Sequence, residues 1–213
     1  GLPGEGGDDV VGFNAVGAPG AESGGVEPVD DGVELEFEVE PSLSLHARWR
    51  QGTARSGKLA VLVDLKGQQV AESSAVHRSL QKAGWDVGVL NLRATGKLAP
   101  RSNRVRRALD HNASQWGMWV GRPLLTQWVN DLRSFLDILD EAVYGESRSL
   151  PPIRLVGLGT SGAVTTAAAA VDPRVTEVVT VGALASVISD EPYGFGEMGL
   201  LVPGSLKTLG DLP

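Results

Sequence analysis

The stretch from Ile153 to Ala170, IRLVGLGTSGAVTTAAAA, constrains the fold of this chain more than any other. Ile153, Leu155, Val156 and Leu158 form an apolar run that breaks at Gly157 and Gly159, turns through Thr160, Ser161 and Gly162, and continues as Ala163 to Ala170, the composition of a buried helix. The order predicts a strand, a tight turn and a helix. Such a turn aims backbone N–H groups at the space above a helix N-terminus, where anions and developing oxyanions are stabilised. Three readings fit these residues: a nucleophile raised on the turn, a phosphate cradle made by Gly157, Gly159 and Gly162, or glycines that let strand and helix pack closely.

The neighbouring segments say what kind of sheet receives that strand. From residue 33 the chain alternates strictly, with Val33, Leu35, Phe37 and Val39 on one face and Glu34, Glu36, Glu38 and Glu40 on the other; Leu43, Leu45, Ala47 and Trp49 repeat the pattern after Pro41-Ser42. This predicts an antiparallel hairpin with one wet face. Lys58 to Asp64 differs, because Leu59 to Val63 is apolar without alternation, as expected of a parallel strand covered on both sides. A helix is predicted over Val70 to Ala83, stopping at Gly84, and a strand over Trp85 to Leu92. About 25 residues without clear periodicity then follow, carrying His111 and the pair Trp116 and Trp119, a length that marks a functional loop. The strongest helical stripe runs from Leu124 to Val143, and Val175 to Val181 is the last strand. Beyond Gly182 the sequence is irregular.

Charge is unevenly distributed. The 213 residues carry a net charge of −7, yet residues 1 to 47 hold eleven of the 26 acidic side chains and none of the 19 basic ones. Gly1 to Gly32, rich in Gly, Asp and Glu without apolar periodicity, reads as an acidic tail lacking regular structure, and residues 33 to 213 as the folded domain. The rest is mildly basic, with a local run at Lys97, Arg101, Arg104, Arg106 and Arg107 that lacks interleaved aromatics and reads as a solvated loop. No nucleic-acid partner is expected from it. The absence of Cys excludes disulfides and thiolate metal sites, no cofactor is indicated, and no apolar run is long enough to predict a transmembrane segment.

The phrases NLRATG (Asn91 to Gly96), WGMWVGRPLLTQWVNDLRSFLDIL (Trp116 to Leu139), RLVGLGTSG (Arg154 to Gly162) and DPRVTEVVTVGALAS (Asp172 to Ser186) resemble the α/β-hydrolase superfamily, and more narrowly its acetyl-xylan-esterase-like branch. The resemblance covers about Gly32 to Pro213. It implies an α/β fold in which a mostly parallel sheet, opened by the antiparallel hairpin and flanked by helices, lacks the last strands. It also implies ester hydrolysis by a Ser, acid, His triad in that chain order, with the serine on the elbow and backbone N–H groups forming an oxyanion hole.

Two departures bear on that chemistry. Aligning LVG with the family's LVGxSxGG puts Gly159 at the nucleophile position, where no side chain exists to attack; shifting the register by two makes Ser161 the candidate nucleophile, within Gly159-Thr160-Ser161-Gly162-Ala163. The first register is favoured, and it leaves Ser161 as a residue of the helix N-terminus, bonding to backbone N–H groups. The only histidines, His46, His77 and His111, all precede the elbow, whereas the family's base follows it, so the triad is not expected to close within this chain. Of the acids after the last strand, Asp190, Glu191, Glu197 and Asp211, none has a downstream His to orient, and the family's His-Gly oxyanion pair is replaced by Asp64-Leu65-Lys66-Gly67. The expected function is a hydrolase-like domain serving as a structural or binding subunit. The alternative is a serine carboxylic-ester hydrolase, a deacetylase, using Ser161 with acid and base from a separate C-terminal segment; nucleotide binding at GLGTSG is third. Another polypeptide is expected to pair with or cover the edge near Val175 to Val181.

Overall fold

The computed structural model describes residues 26–29, 32–53, 57–145, 149–186, 188, 196–205 and 207. Among the described residues seven strands form one sheet: β1 (Val26–Val29), β2 (Gly32–Glu40), β3 (Leu43–Arg50), β4 (Leu59–Asp64), β5 (Asp86–Asn91), β6 (Ile153–Leu158) and β7 (Val175–Val181), in the order β1-β2-β3-β5-β4-β6-β7. Pairing is antiparallel from β1 to β5 and parallel from β5 through β4 and β6 to β7. The hairpin expected from the alternating sequence therefore opens a parallel sheet.

Helices cover both faces. On one lie α4 (Leu124–Ile138) and α5 (Gly162–Val171), packed on Leu59, Val61 and Val63 of β4; on the other lie α1 (Gln68–Ser73) and α2 (Ala75–Lys82), packed on Ala60 and Leu62. Alternate residues of β4 thus enter different cores, and its unbroken apolar run is the direct consequence. The larger core gathers the inward residues of the hairpin with the stripe of α4, where Trp128, Leu132, Phe135 and Leu136 are fully buried and Phe135 stacks on Phe37 at 6.1 Å.

The structure corrects the sequence reading in four places. Val26–Val29, inside the stretch read as tail, is a strand held by backbone pairing to β2, with Val26 opposite Leu35; residues 1–25 lie outside the described residues. The helix expected from Val70 to Ala83 is two helices, because Ser74 is extended (ψ 155°) and its hydroxyl caps α2 by accepting from the His77 N–H. The helix expected to Val143 ends at Ile138 and continues as one π-helical turn, Leu139–Tyr144. The long loop holds a helix, α3 (His111–Trp119), whose missing amphipathic signal has a simple cause: Trp116 and Trp119 face solvent. Among the described residues no strand follows β7, which pairs with β6 alone.

Candidate functional site

The C-terminal ends of β4, β5 and β6 point the same way, and their loops form the edge on which sheets of this kind place their chemistry. At its centre is the turn after β6. Gly159–Ser161 makes a single 3-10 turn before α5 begins at Gly162, and Gly159 takes φ +63°, the left-handed conformation of a sharp strand-to-helix elbow. A Cβ built on Gly159 meets nothing within 4 Å. The other two glycines are pressed into contact: a Cβ on Gly157 would lie 2.6 Å from Gly162 Cα, and one on Gly162 would lie 2.7 Å from Ala183 Cβ. Gly157 and Gly162 thus let β6, α5 and the segment after β7 close up, while Gly159 stands open at the apex.

Ser161 lies beneath that apex. It is wholly buried, and its hydroxyl donates to the Val63 C=O at 2.6 Å and the Leu158 C=O at 2.8 Å, sharing one proton between the ends of β4 and β6. The expectation that this side chain caps helix N–H groups is not met, since it makes no cap hydrogen bond. Carbonyls, not amides, are in reach, because Ser161 sits one residue inside the turn and its side chain points back to the sheet. Thr160 is half-buried between them.

A second oxyanion donor would come from the loop after β4. There the Lys66 N–H donates to the Asp64 carboxylate at 2.8 Å and the Gly67 N–H to the Asp64 C=O at 2.9 Å. The donors are committed within the turn, and the nearby carboxylate disfavours a second negative charge.

The histidines do not converge on the elbow. His46 lies on the exposed face of β3; His77 is buried in α2, where desolvation holds its pKa below the usual 6.5; the His111 Nδ1 is 2.9 Å from the Asn112 Oδ1. None of their described hydrogen bonds involves Ser161. Glu197 is buried ahead of the 3-10 turn Met198–Leu200, and Asp190, Glu191 and Asp211 lie outside the described residues. Among the described residues no group of three His, Cys, Asp or Glu forms a metal site, and no helix is long and apolar enough to cross a membrane. An open groove of about 810 Å³ runs beside this edge, lined by Glu34, His46, Arg48, Lys66, Glu72 and Lys97 among others, but neither Gly159 nor Ser161 borders it.

Sequence reasoning gave no role to the ion network that anchors the loop after β5. Arg93 is buried; its backbone N–H and guanidinium donate to Asp131 of α4, and the guanidinium also reaches Glu40 at 2.6 Å and Gln127 at 2.9 Å. The indole of Trp128 donates to the Arg93 C=O at 2.9 Å. Burial works against the Arg93 charge, yet the hydrogen bonds and attraction of Asp131 and Glu40 raise its pKa above the usual value. The spacing of Asp131 within the α4 stripe, as the one charged residue on a buried face, is the signal that marks it.

No protein-family profile and no curated protein matches the chain. Solved structures do. The esterase Pf2001 of Pyrococcus furiosus is 16% identical, with a TM-score of 0.52 over 72% of this chain and 50% of its own. A highly thermostable carboxyl esterase from Bacillus coagulans is 13% identical, with a TM-score of 0.50 over 72% of this chain and 45% of its own. Acetyl xylan esterase 1 from Thermoanaerobacterium sp. is 16% identical, with a TM-score of 0.47 over 76% of this chain and 51% of its own. At these identities the likeness bears on fold alone, and the first two matches carry it. The chain spans about half the length of these structures, and its architecture is a partial α/β-hydrolase-like fold.

Proposed function

We propose that this chain is an acetyl-xylan-esterase-like domain that retains the α/β-hydrolase framework without hydrolytic chemistry at its elbow, and that it serves as a structural or binding subunit. One observation carries the reading: the residue at the apex, with φ +63° and open space where its Cβ would be, is Gly159. A hydrolase of this fold presents its nucleophile on that turn. Ser161 offers no substitute, because an attacking hydroxyl needs exposure and a base within about 3.2 Å, and this one is buried with its proton held by two carbonyls. The occupied N–H groups of Lys66 and Gly67 point the same way.

The subunit role draws on β7. Its outer edge is unpaired among the described residues, and Val181 and, at the end of α5, Val171 are 44% and 55% exposed. Apolar β-branched edges are normally paired or covered, so another polypeptide is the proposed occupant. Hydrogen exchange of the Val175–Val181 amides tests it: slow exchange on addition of the partner supports the role, and a monodisperse monomer with fast exchange in every preparation removes it.

Turnover of a chromogenic acetyl ester tests the catalytic half. The expected result is the buffer rate for the wild type and for Ser161→Ala alike. Hydrolysis that disappears in Ser161→Ala would make the protein a serine ester hydrolase instead.

A further inference from the structure

Exposed apolar surface is concentrated on one segment. Ten large hydrophobic side chains are exposed among the described residues, and five of them, Val105, Leu109, Trp116, Trp119 and Val120, lie within one short stretch. Helical spacing places Asn112, Trp116, Trp119 and Val120 on one face of α3 and its end, away from the buried Ser114 and Gly117. Trp116 is 59% exposed and Trp119 is 78% exposed. Clustered exposure of this kind marks an interaction site, and Trp and Arg are the side chains that anchor protein interfaces.

Arginines stand at the head of that face. The Asn112 Nδ2 donates to the Ser102 C=O at 2.6 Å, and the Asn103 Oδ1 accepts from the Ala113 N–H at 2.8 Å, so the loop bearing Arg101, Arg104, Arg106 and Arg107 is tied to the first turn of α3. A bridge between Val105 and Ala108 turns Arg106 and Arg107 out at the tip of a small hairpin. All four arginines are exposed, and among the described residues none has a carboxylate partner; the Arg104 guanidinium donates instead to the Arg106 C=O. Elsewhere most arginines meet a carboxylate, Arg48 with Glu34, Arg93 with Asp131, Arg154 with Glu177 and Arg174 with Asp172, while Arg78 on α2 donates to the Ser73 C=O. Four arginines without a carboxylate are gathered beside the exposed tryptophans.

We propose that α3 and the arginine hairpin form a docking surface for an acidic polypeptide segment of a partner protein, whose apolar side chains seat on Trp116 and Trp119 and whose carboxylates meet Arg104, Arg106 and Arg107. Charge complementarity selects the acid, and the exposed indoles select a segment that also carries apolar residues. A polyphosphate fits less well, because the chain as a whole carries −7 and the run from Arg101 to Arg107 is short, with tryptophans beside it and none within it. The face is short as well, about 12 Å along α3 at 1.5 Å per residue, the reach of a few residues of extended peptide. The proposal rests on the binding half of the function above and is independent of the elbow, so the ester assay and the titration below fail separately.

The test is fluorescence anisotropy of a labelled peptide, in which Asp and Glu flank a Leu-Phe pair, titrated with the intact chain. Saturable binding that weakens with salt is expected, with affinity falling about tenfold or more in Trp119→Ala and in Arg106→Glu. Both side chains are exposed, and unchanged thermal melts would show that the fold persists. The emission of the wild-type protein is expected to shift to the blue as Trp116 and Trp119 lose water. Equal affinity in wild type and variants, no binding at all, or tight binding of oligothymidine in place of the peptide would each overturn the proposal.

Discussion

Alanine at Gly157 and at Gly159 separates the two registers of the elbow through stability alone. At Gly157 the new Cβ falls 2.6 Å from Gly162 Cα and 2.7 Å from Gly162 N, and backbone atoms cannot rotate aside as a side-chain tip can. Overpacking of this kind costs about 1–3 kcal/mol and occasionally more, and contact with backbone puts Gly157→Ala at about 3 kcal/mol or above. At Gly159 nothing lies within 4 Å, so the cost is only that of a Cβ at φ +63°, about 1–2 kcal/mol. Urea unfolding of the wild type and both variants, compared by midpoint at unchanged m value, reads the difference directly. If Ser161 were the apex, Gly159 would belong to the strand and pack under α5, and its substitution would cost as much as that of Gly157. Equal losses, or a larger loss at Gly159, would refute the assignment of the apex.

Three further outcomes follow from the titratable groups held by the fold. Asp131→Ala strands the Arg93 guanidinium and backbone N–H in the core, and is expected to lower stability by about 3–5 kcal/mol in the same assay; a loss below about 1 kcal/mol would show that Glu40 and Gln127 suffice. His77, held below 6.5 by burial, stays neutral in the fold, so its contribution is complete above that pH and is lost as the pH falls toward the lower folded value, where the unfolded chain takes up the proton first. Thermal melts should therefore decline from pH 7 to pH 5 and flatten in His77→Gln; an unaltered slope in the variant would remove His77 as the cause. Asp172 is lowered from 3.8 by its hydrogen bond from Arg174, and Glu40 from 4.5 by those from Arg122 and Arg93. Their stabilisation is present above those values and disappears as acid carries the pH down through the lowered ones, a loss that Asp172→Asn should reduce below pH 4.

Where a sequence signal reflects burial, the fold was legible from it. Strict alternation located β2 and β3, an unbroken apolar run located β4, and the stripe of α4 was plain because one face of it is the core. α3 escaped because its outward face carries tryptophans, which cancel the contrast on which the amphipathic pattern depends. β1 escaped because four residues are too short a stretch for alternation to show, and the strand is recognised by its main-chain pairing to β2. The break between α1 and α2 rests on the rotamer and ψ of a single Ser74, below the resolution of periodicity. At the elbow the glycines announced a turn, and the resemblance favoured the register that puts Gly159 at the nucleophile position. What no pattern could supply was the orientation of Ser161, whose hydroxyl turns toward the Val63 carbonyl on a strand 98 residues earlier.

The measurement closest to the central claim is reaction of the intact protein with a fluorophosphonate probe, read by mass spectrometry of the peptide that spans Ile153 to Val171. A serine raised and activated on an elbow is phosphonylated, whereas a buried hydroxyl bonded to two carbonyls is not. The peptide is predicted to keep its unmodified mass at full recovery. A stoichiometric adduct on Ser161, formed under native conditions and absent after denaturation, would contradict the account.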